Sequence, residues 1–423
     1  MKLSEVCEFQ NGYAFKSKDF VENGDYKVIK IKELKNGLTQ FFNDSASIET
    51  ISSNQEKYVV HKDDVLFALT GDPVSKSNPL TWVGRVSRYQ FDEPALLNQR
   101  VCKIIPYEDQ VDKDYLYYFF REFSNFYDLA QRATGSASQV NISTKQIGEV
   151  EIDLPSLDEQ KKISITLRSL DEKIENNKKI NHHLAEMAQS IFTSWFIDYE
   201  PFGGVKPSNW TNGKLSDILM QVKNTIKSGE EPDLPYVPID ELPMNSLGLN
   251  TFRPNDEAKS SLITFDKNDI LIGAMRVYFH RVCVAPFRGI TRSTCFVLRP
   301  TYAEYLEFAL LICNQNSSIN FANSTSKGST MPYAVWENGL ADLSIDIPPM
   351  DVISDFSKIV NPMIEKIRDS LFEQHQLKAT RDTLLPKLMT GEITVTDEET
   401  KWWFTTKIKG RKLWSIKVVT TEI

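Results

Sequence analysis

ISITLRSLDEKIENNKKINHHLAEMAQSIFTSW, residues 163–195, carries Ile163, Leu167, Leu170, Ile174, Leu184, Ala188, Ile191 and Trp195 at alternating steps of four and three, with Asn177 and Asn181 completing the series. Such spacing is the seam of a long heptad helix, which buries one narrow stripe against another helix. Adding 193 to each number gives Phe356, Val360, Met363, Ile367, Ser370, Gln374, Leu377, Arg381, Leu384 and Leu388. The second seam repeats the period of the first and interrupts it with polar residues at the same height. Two helices so matched are expected to pair with each other, their polar layers close together, because polar seam residues cost stability but fix register. Spacing alone leaves open a second arrangement, in which each helix packs on its own globular neighbour.

The repeat extends outward from the helices. KDDVLFALTGD (62–72) matches KNDILIGAMRV (267–277), a polar turn followed by a buried strand, and ALLNQRVCKIIP (95–106) parallels GITRSTCFVLRP (289–300), each an apolar strand closed by proline. Aromatic helix starts follow, DYLYYFF at 114–120 and EYLEFAL at 304–310. Gly135-Ser136 and Gly328-Ser329 lie 193 residues apart, as do Pro155 and Pro348. The expected order is therefore a globular half over 1–155, a helix over 156–200, a second globular half over 201–348, a second helix over 349–393, and a basic extension over 394–423. Short strands rich in Val, Ile and Phe, broken by Gly, Pro, Asn and Asp, make each half mixed α/β and the chain α+β. In RDTLLPKLMTGEI (381–393), Pro386 falls inside the apolar rhythm. Its place in the last turns before Gly391 makes the lost hydrogen bond cheaper than it would be mid-helix. Leu384, Leu385, Leu388 and Met389 are expected against Ile163 and Leu167 if the helices run antiparallel.

Searches for chemistry return little. There is no phosphate loop, dinucleotide fingerprint, zinc-protease motif or nucleophile elbow. Five scattered cysteines without a C-x-x-C pair suggest reduced, buried thiols. His182 and His183 are adjacent and so face different sides of a helix, which is poor metal geometry; no metal ligands are expected. Asp171-Glu172-Lys173 has the look of a metal-nuclease fragment, but at its mid-helix position an exposed charge cluster is the simpler reading. No apolar run reaches a membrane span, so a cytoplasmic protein without membrane contact is expected. A net charge of −8 argues against binding nucleic acid through bulk positive charge, leaving local clusters.

Those clusters exist. Tyr13 and Phe15 interleave with Lys16 and Lys18, the mixture of ring and cation that meets bases and phosphates. Arg85 and Arg88 lie in TWVGRVSRY, and Arg276, Arg281, Arg288 and Arg292 in the second half. The loops at 133–147, with Ser136, Gln139, Asn141 and Lys145, and at 324–338, with Lys327, Ser329 and Tyr333, occupy matching places and are rich in amides and hydroxyls.

The order of parts resembles the specificity subunits of Type I restriction-modification systems. LPSLDEQKKI (154–163), SIFTSWF (190–196), RDTLLPKLMTGEI and the opening KLSEVCEFQNGYAFKS carry the resemblance, over nearly all of residues 1–395. It implies two homologous target-recognition domains related by a pseudo-two-fold repeat and separated by two long helices packed as an antiparallel coiled coil. It further implies a DNA-recognition subunit of a phage-defence system, without catalysis or a cofactor of its own. Its partners would be double-stranded DNA, two methyltransferase subunits that bind S-adenosylmethionine, and restriction/translocase subunits with their ATP and Mg. A helix from Asp158 to Phe196 would span about 58 Å at 1.5 Å per residue, so helix length would set the spacer between half-sites. The basic stretch after Gly391, with a Lys409-Gly410 turn suggesting a hairpin, departs from the family pattern. The competing expectation is a coiled-coil protein scaffold that never touches DNA.

Overall fold

The computed structural model describes residues 1–75, 81–136 and 138–395, and the expected hairpin in the basic extension lies outside them. Two compact units divide the chain. One comprises Met1–Asp171 and the chain from Thr380 onward; the other is Glu172–Ala379. Each unit thus holds one globular half together with a part of both long helices, Leu157–Phe196 and Met350–Met389, which run 40 residues each.

In the first unit a six-stranded sheet is ordered Cys7–Asn11, Val101–Pro106, Val65–Ala68, Val86–Arg88, Leu38–Thr39 and Leu34–Lys35. Val65–Ala68 is buried along its whole length, which explains why it reads as a continuous apolar run rather than an alternating one. A four-stranded sheet, Ser47–Ile48, Tyr26–Ile29, Ala95–Leu97 and Val59–Val60, lies beside it in sequence order. The stretch ALLNQRVCKIIP is therefore not one strand. Asn98, Gln99 and Arg100 break it into Ala95–Leu97 and Val101–Pro106, which belong to different sheets. GITRSTCFVLRP divides in the same way, into Gly289–Arg292 and Cys295–Pro300.

The repeat is visible in the pairing. Val101 lies opposite Ala68 in the first unit, and Cys295 opposite Gly273 in the second. Helices Lys113–Arg121 and Phe123–Gln131 have their counterparts in Leu306–Cys313 and Asn316–Ser324. Glu122 separates the first pair: its extended backbone ends one helix, and its side chain caps the next by accepting from the Asn125 amide.

Within the first unit, Ile163 and Leu167 share a core with Leu385 and Leu388, and Leu384 and Met389 pack on its edge. The start of one long helix thus meets the end of the other, and the pair is antiparallel. In the second unit the end of the first helix meets the start of the second: Phe196 stands 4.7 Å, ring to ring, from both Phe356 and Phe308. Here the burial departs from the heptad. Ala188, Phe192 and Phe196 are buried at steps of four, while Ile191 and Trp195 are half-buried. An apolar face that must cover both the partner helix and Leu306–Cys313 is wider than a coiled-coil seam. Ile364 is likewise buried beside a half-buried Met363. Leu170, Ile174, Val360, Ile367 and Leu377 are buried as seam positions should be, and Leu184 is half-buried.

The helix Met350–Met389 runs unbroken through Pro386, and also through Pro362. Both prolines are exposed, so each missing amide bond falls on the solvent side, where water can serve the orphaned carbonyl. Gly391, at φ +72°, supplies the left-handed residue that closes the helix. The polar interruption sits inside the pair. Asn177, Ser370 and Gln374 are buried, and Asn177 Nδ2 donates to Glu373 Oε2 at 2.8 Å. The Asn181 amide, Ser370 Oγ and Gln374 Nε2 are buried with no hydrogen-bond partner among the described residues.

Candidate nucleic-acid interface

The first unit gathers its polar loops where the buried strand ends. Thr70–Gly71, just past Val65–Ala68, pairs with Val140–Asn141, which pairs in turn with Thr134–Gly135. This small sheet brings the loop 133–147 onto the main one. Thr70 Oγ1 donates to Asn141 Oδ1 at 2.6 Å, and Arg100 Nη1 donates to the same oxygen at 3.0 Å. An exposed guanidinium held by two neighbours is preorganised, so less side-chain entropy is lost when it meets an acceptor such as a guanine edge or a phosphate. Ser136 and Gln139 close the hairpin tip, the Ser136 amide donating to Gln139 O at 2.9 Å. Lys145 stands exposed on Thr144–Gly148, a short helix capped by Ser143 and Gln146.

The aromatic and cationic segment joins the same edge. The Tyr13 amide donates to Leu97 O at 2.9 Å, and the Gln99 amide donates to Tyr13 O at 3.0 Å. Gly12 permits this approach, since a Cβ there would fall 2.1 Å from Asn98 O. Tyr13 is 38% exposed and packs its ring 5.0 Å from Phe15, which is half-buried; Lys16 and Lys18 are exposed. Tyr13, Gln99, Arg100, Thr70 and Asn141 are thus consecutive along one edge of the first globular half. Arg100 was absent from the sequence candidates. Its signal was available in the repeat, where it falls opposite Thr294 between two matched strands, a place where the halves differ in chemistry while keeping their backbone: Leu69 donates to Arg100 O and Ala274 to Thr294 O, both at 2.9 Å.

One arginine expectation needs correction. Arg88 is only 5% exposed: its guanidinium lies 4.1 Å from the Tyr117 ring and 2.7 Å from Asp114, so it is a core cation and not a surface contact. The reason is the strand register, which turns Arg88 toward the helix Lys113–Arg121. Arg85 is half-buried with its guanidinium 4.1 Å from the Trp82 ring.

The second unit builds the counterpart. Met275 bridges Tyr333, and Lys327 bridges Tyr333 with paired backbone bonds of 2.9 Å each. The Arg276 amide donates to Pro332 O at 2.8 Å. Arg276, Lys327 and Tyr333 are all exposed here, and Ser329 occupies the exposed tip beside Gly328. Arg292 is exposed at the end of Gly289–Arg292. Arg281 and Arg288 have structural duties: Arg281 Nη1 donates to the carbonyls of Ile239 and Asp240, and Arg288 pairs with Glu231 at 2.8 Å.

Other chemistry is sparse among the described residues. No group of three or more His, Cys, Asp or Glu could hold a metal ion, and no helix is long and apolar enough to cross a membrane. All five cysteines are buried and unpaired, and burial pushes the Cys7 thiol up to about 12, far from the reactive thiolate range. His182 and His183 are exposed and lie 3.2 and 3.4 Å from Glu186.

Comparison with known proteins agrees with this arrangement. Residues 1–186 match the family model described as the Type I restriction modification DNA specificity domain. The MjaIX specificity subunit of Methanocaldococcus jannaschii is 28% identical over 333 residues, covering 71% of this chain and 74% of that protein. The EcoBI specificity subunit of Escherichia coli is 29% identical over 241 residues, 52% of this chain and 46% of its own. The crystal structure of a Type I S subunit from M. genitalium shares the fold, with a TM-score of 0.63, 17% identity, and coverage of 92% of this chain and 95% of that one. A duplicated α/β half, an antiparallel helix pair and these relatives converge: over residues 1–186 the chain matches the DNA specificity domain, and over most of its length it is similar to Type I restriction-modification specificity subunits.

Proposed function

We propose that this chain recognises a bipartite, asymmetric duplex sequence, residues 1–155 reading one half and residues 201–348 the other. The helices Leu157–Phe196 and Met350–Met389 serve as the spacer and as docking ground for two methyltransferase subunits and for restriction/translocase subunits. On this reading the chain contributes no catalytic group; S-adenosylmethionine, ATP and Mg act on the partner subunits. The observation that carries the proposal is the duplicated loop edge. In each half a polar hairpin pairs with the end of a buried strand, presenting Arg100 and Asn141 in one, held from beneath by the buried Thr70, and Arg276, Lys327 and Tyr333 in the other. The backbones are alike and the side chains are not, as two readers of different sequences require. A net charge of −8 fits a subunit whose partners supply much of the phosphate contact.

The test is a domain exchange. Replacing residues 1–155 by the corresponding half of another specificity subunit, expressed with the methyltransferase subunits, should change one half of the methylated sequence and leave the other intact. Methylation mapping that returned an unaltered sequence, or one altered in both halves, would sink the assignment.

A further inference from the structure

The turn after the buried strand of the second unit is built in a way the recognition reading does not use. Val277–Phe279 forms a single tight turn flanked by two non-glycine residues in the left-handed region, Arg276 at φ +50° and His280 at φ +52°. Each such conformation is strained for a residue with a Cβ and persists only where the surroundings enforce it. Here they do. Val277 is buried in the core, and His280 Nε2 lies 2.9 Å from Asn314 Oδ1 and 3.0 Å from Asn314 O. The His280 carbonyl accepts from the Asn245 amide at 3.0 Å. What this clamp holds outward is a pair of rings: Tyr278 is 51% exposed and Phe279 40%, with centroids 5.0 Å apart. The cations Arg276 and Lys327, neither in an ion pair among the described residues, stand on the same edge with Tyr333.

Resting on the recognition reading, we propose that Tyr278 and Phe279 form an aromatic wedge that enters the base stack of the second half-site. Rigid exposed rings beside cations fit a nucleic acid: the cations meet phosphate while the rings replace base–base stacking at a deformable step. A flexible tip would lose ordering entropy on insertion; a clamped one does not. The wedge is confined to one half. The stretch aligned with residues 277–279 in the first half is Asp72–Val74, and no aromatic residue occurs between Asp72 and Thr81. The first half carries its own exposed ring elsewhere, Tyr13 beside Phe15, so the internal control is the first half-site's signal, which loss of Tyr278 and Phe279 should leave as it is in the native complex.

The experiment uses the chain assembled with its methyltransferase subunits on a duplex carrying the mapped target. 2-Aminopurine is placed in each half in turn, away from the methylated adenine, and the half read by residues 201–348 is identified by the domain exchange. The native complex should raise the fluorescence of the second half several-fold. Tyr278→Ala with Phe279→Ala should abolish that rise and weaken specific binding roughly 10- to 100-fold, the range expected for lost base stacking. Its assembly and thermal midpoint should be unaffected, and Tyr278→Trp with Phe279→Trp should restore the signal. An alanine variant with native affinity and fluorescence overturns the wedge, and one that fails to assemble assigns the rings to a protein contact instead. A native complex with no sequence-specific binding overturns the recognition reading itself, and the wedge with it.

Discussion

Asp171 of the first long helix accepts Arg381 of the second, Nη1 to Oδ1 at 2.7 Å, inside the first compact unit. Its other oxygen takes Arg121 at 3.1 Å and the Tyr118 hydroxyl at 2.9 Å. One carboxylate therefore ties both helices to the helix Lys113–Arg121. Its side chain is 16% exposed and that of Arg381 14%, so the charge cluster expected at Asp171-Glu172-Lys173 is, at its first residue, an interior ion pair and not a solvated face.

Removing Asp171 leaves the half-buried Arg121 without its anion and Arg381 with only the exposed Asp382, 2.7 Å away, to face it. Breaking a largely buried pair from one side costs about 3–5 kcal/mol, far more than a surface bridge. Asp171→Ala should lower the stability of the first unit by that amount, and Asp171→Asn, which keeps an acceptor, by less. Denaturant titration checks it; a loss under about 1 kcal/mol would return Asp171 to the status of a surface charge.

The seam was legible because heptad spacing depends on local geometry alone, and the repeat doubled the signal. Burial at Phe192, Phe196 and Ile364 was not, since it depends on which globular helix lies over the stripe. Pro386 looked like a defect because sequence shows that a residue interrupts the ladder but not which way it faces. The paired polar loops were legible through their duplication, yet the burial of Arg88 and the exposure of Arg100 were not. Two arginines of the same type exchange roles through strand register: Arg88 turns toward Tyr117, and Arg100 falls in the break between two strands. Composition does not distinguish a core cation from a surface one.

The polar layer should show stability given up for register. Buried groups without partners cost about 1–3 kcal/mol each. Replacing Asn181, Ser370 and Gln374 by Leu, Ala and Leu should raise the thermal midpoint while allowing the pair to slip, seen as more than one spacer length in the methylated sequence. A lower midpoint would mean that ordered water satisfies these atoms in solution, and the account would fail.

Glu307 gives a pH dependence with a definite sign. Burial raises its pKa above the ordinary carboxyl value, against a partial opposing pull from the Ser357 hydroxyl, which donates to it at 2.7 Å. A folded-state pKa above the unfolded one favours the protonated form in the fold. The contribution is full below the unfolded pKa and is lost as pH rises through the folded one. Glu307→Gln should therefore flatten the fall in stability above about pH 4.3 while changing little below it. Thermal midpoints from pH 4 to 8 test this; parallel curves for both proteins would refute it.

Arg100 and Lys145 separate base reading from phosphate contact. Arg100, fixed by Asn141 and Thr70, has the geometry for a directed contact, whereas Lys145 is a mobile point charge on an exposed helix. Arg100→Ala should cost about 1–3 kcal/mol in specific binding and relax recognition at one position of the first half-site. Lys145→Ala should weaken all sequences about equally and reduce the slope of log affinity against log salt by about 1. Binding of the assembled complex to the target and to single-base variants, at several salt concentrations, gives both readouts. If Arg100→Ala weakened every sequence alike, Arg100 would be a phosphate contact, and the reading edge would have to be sought along Ser136 and Gln139.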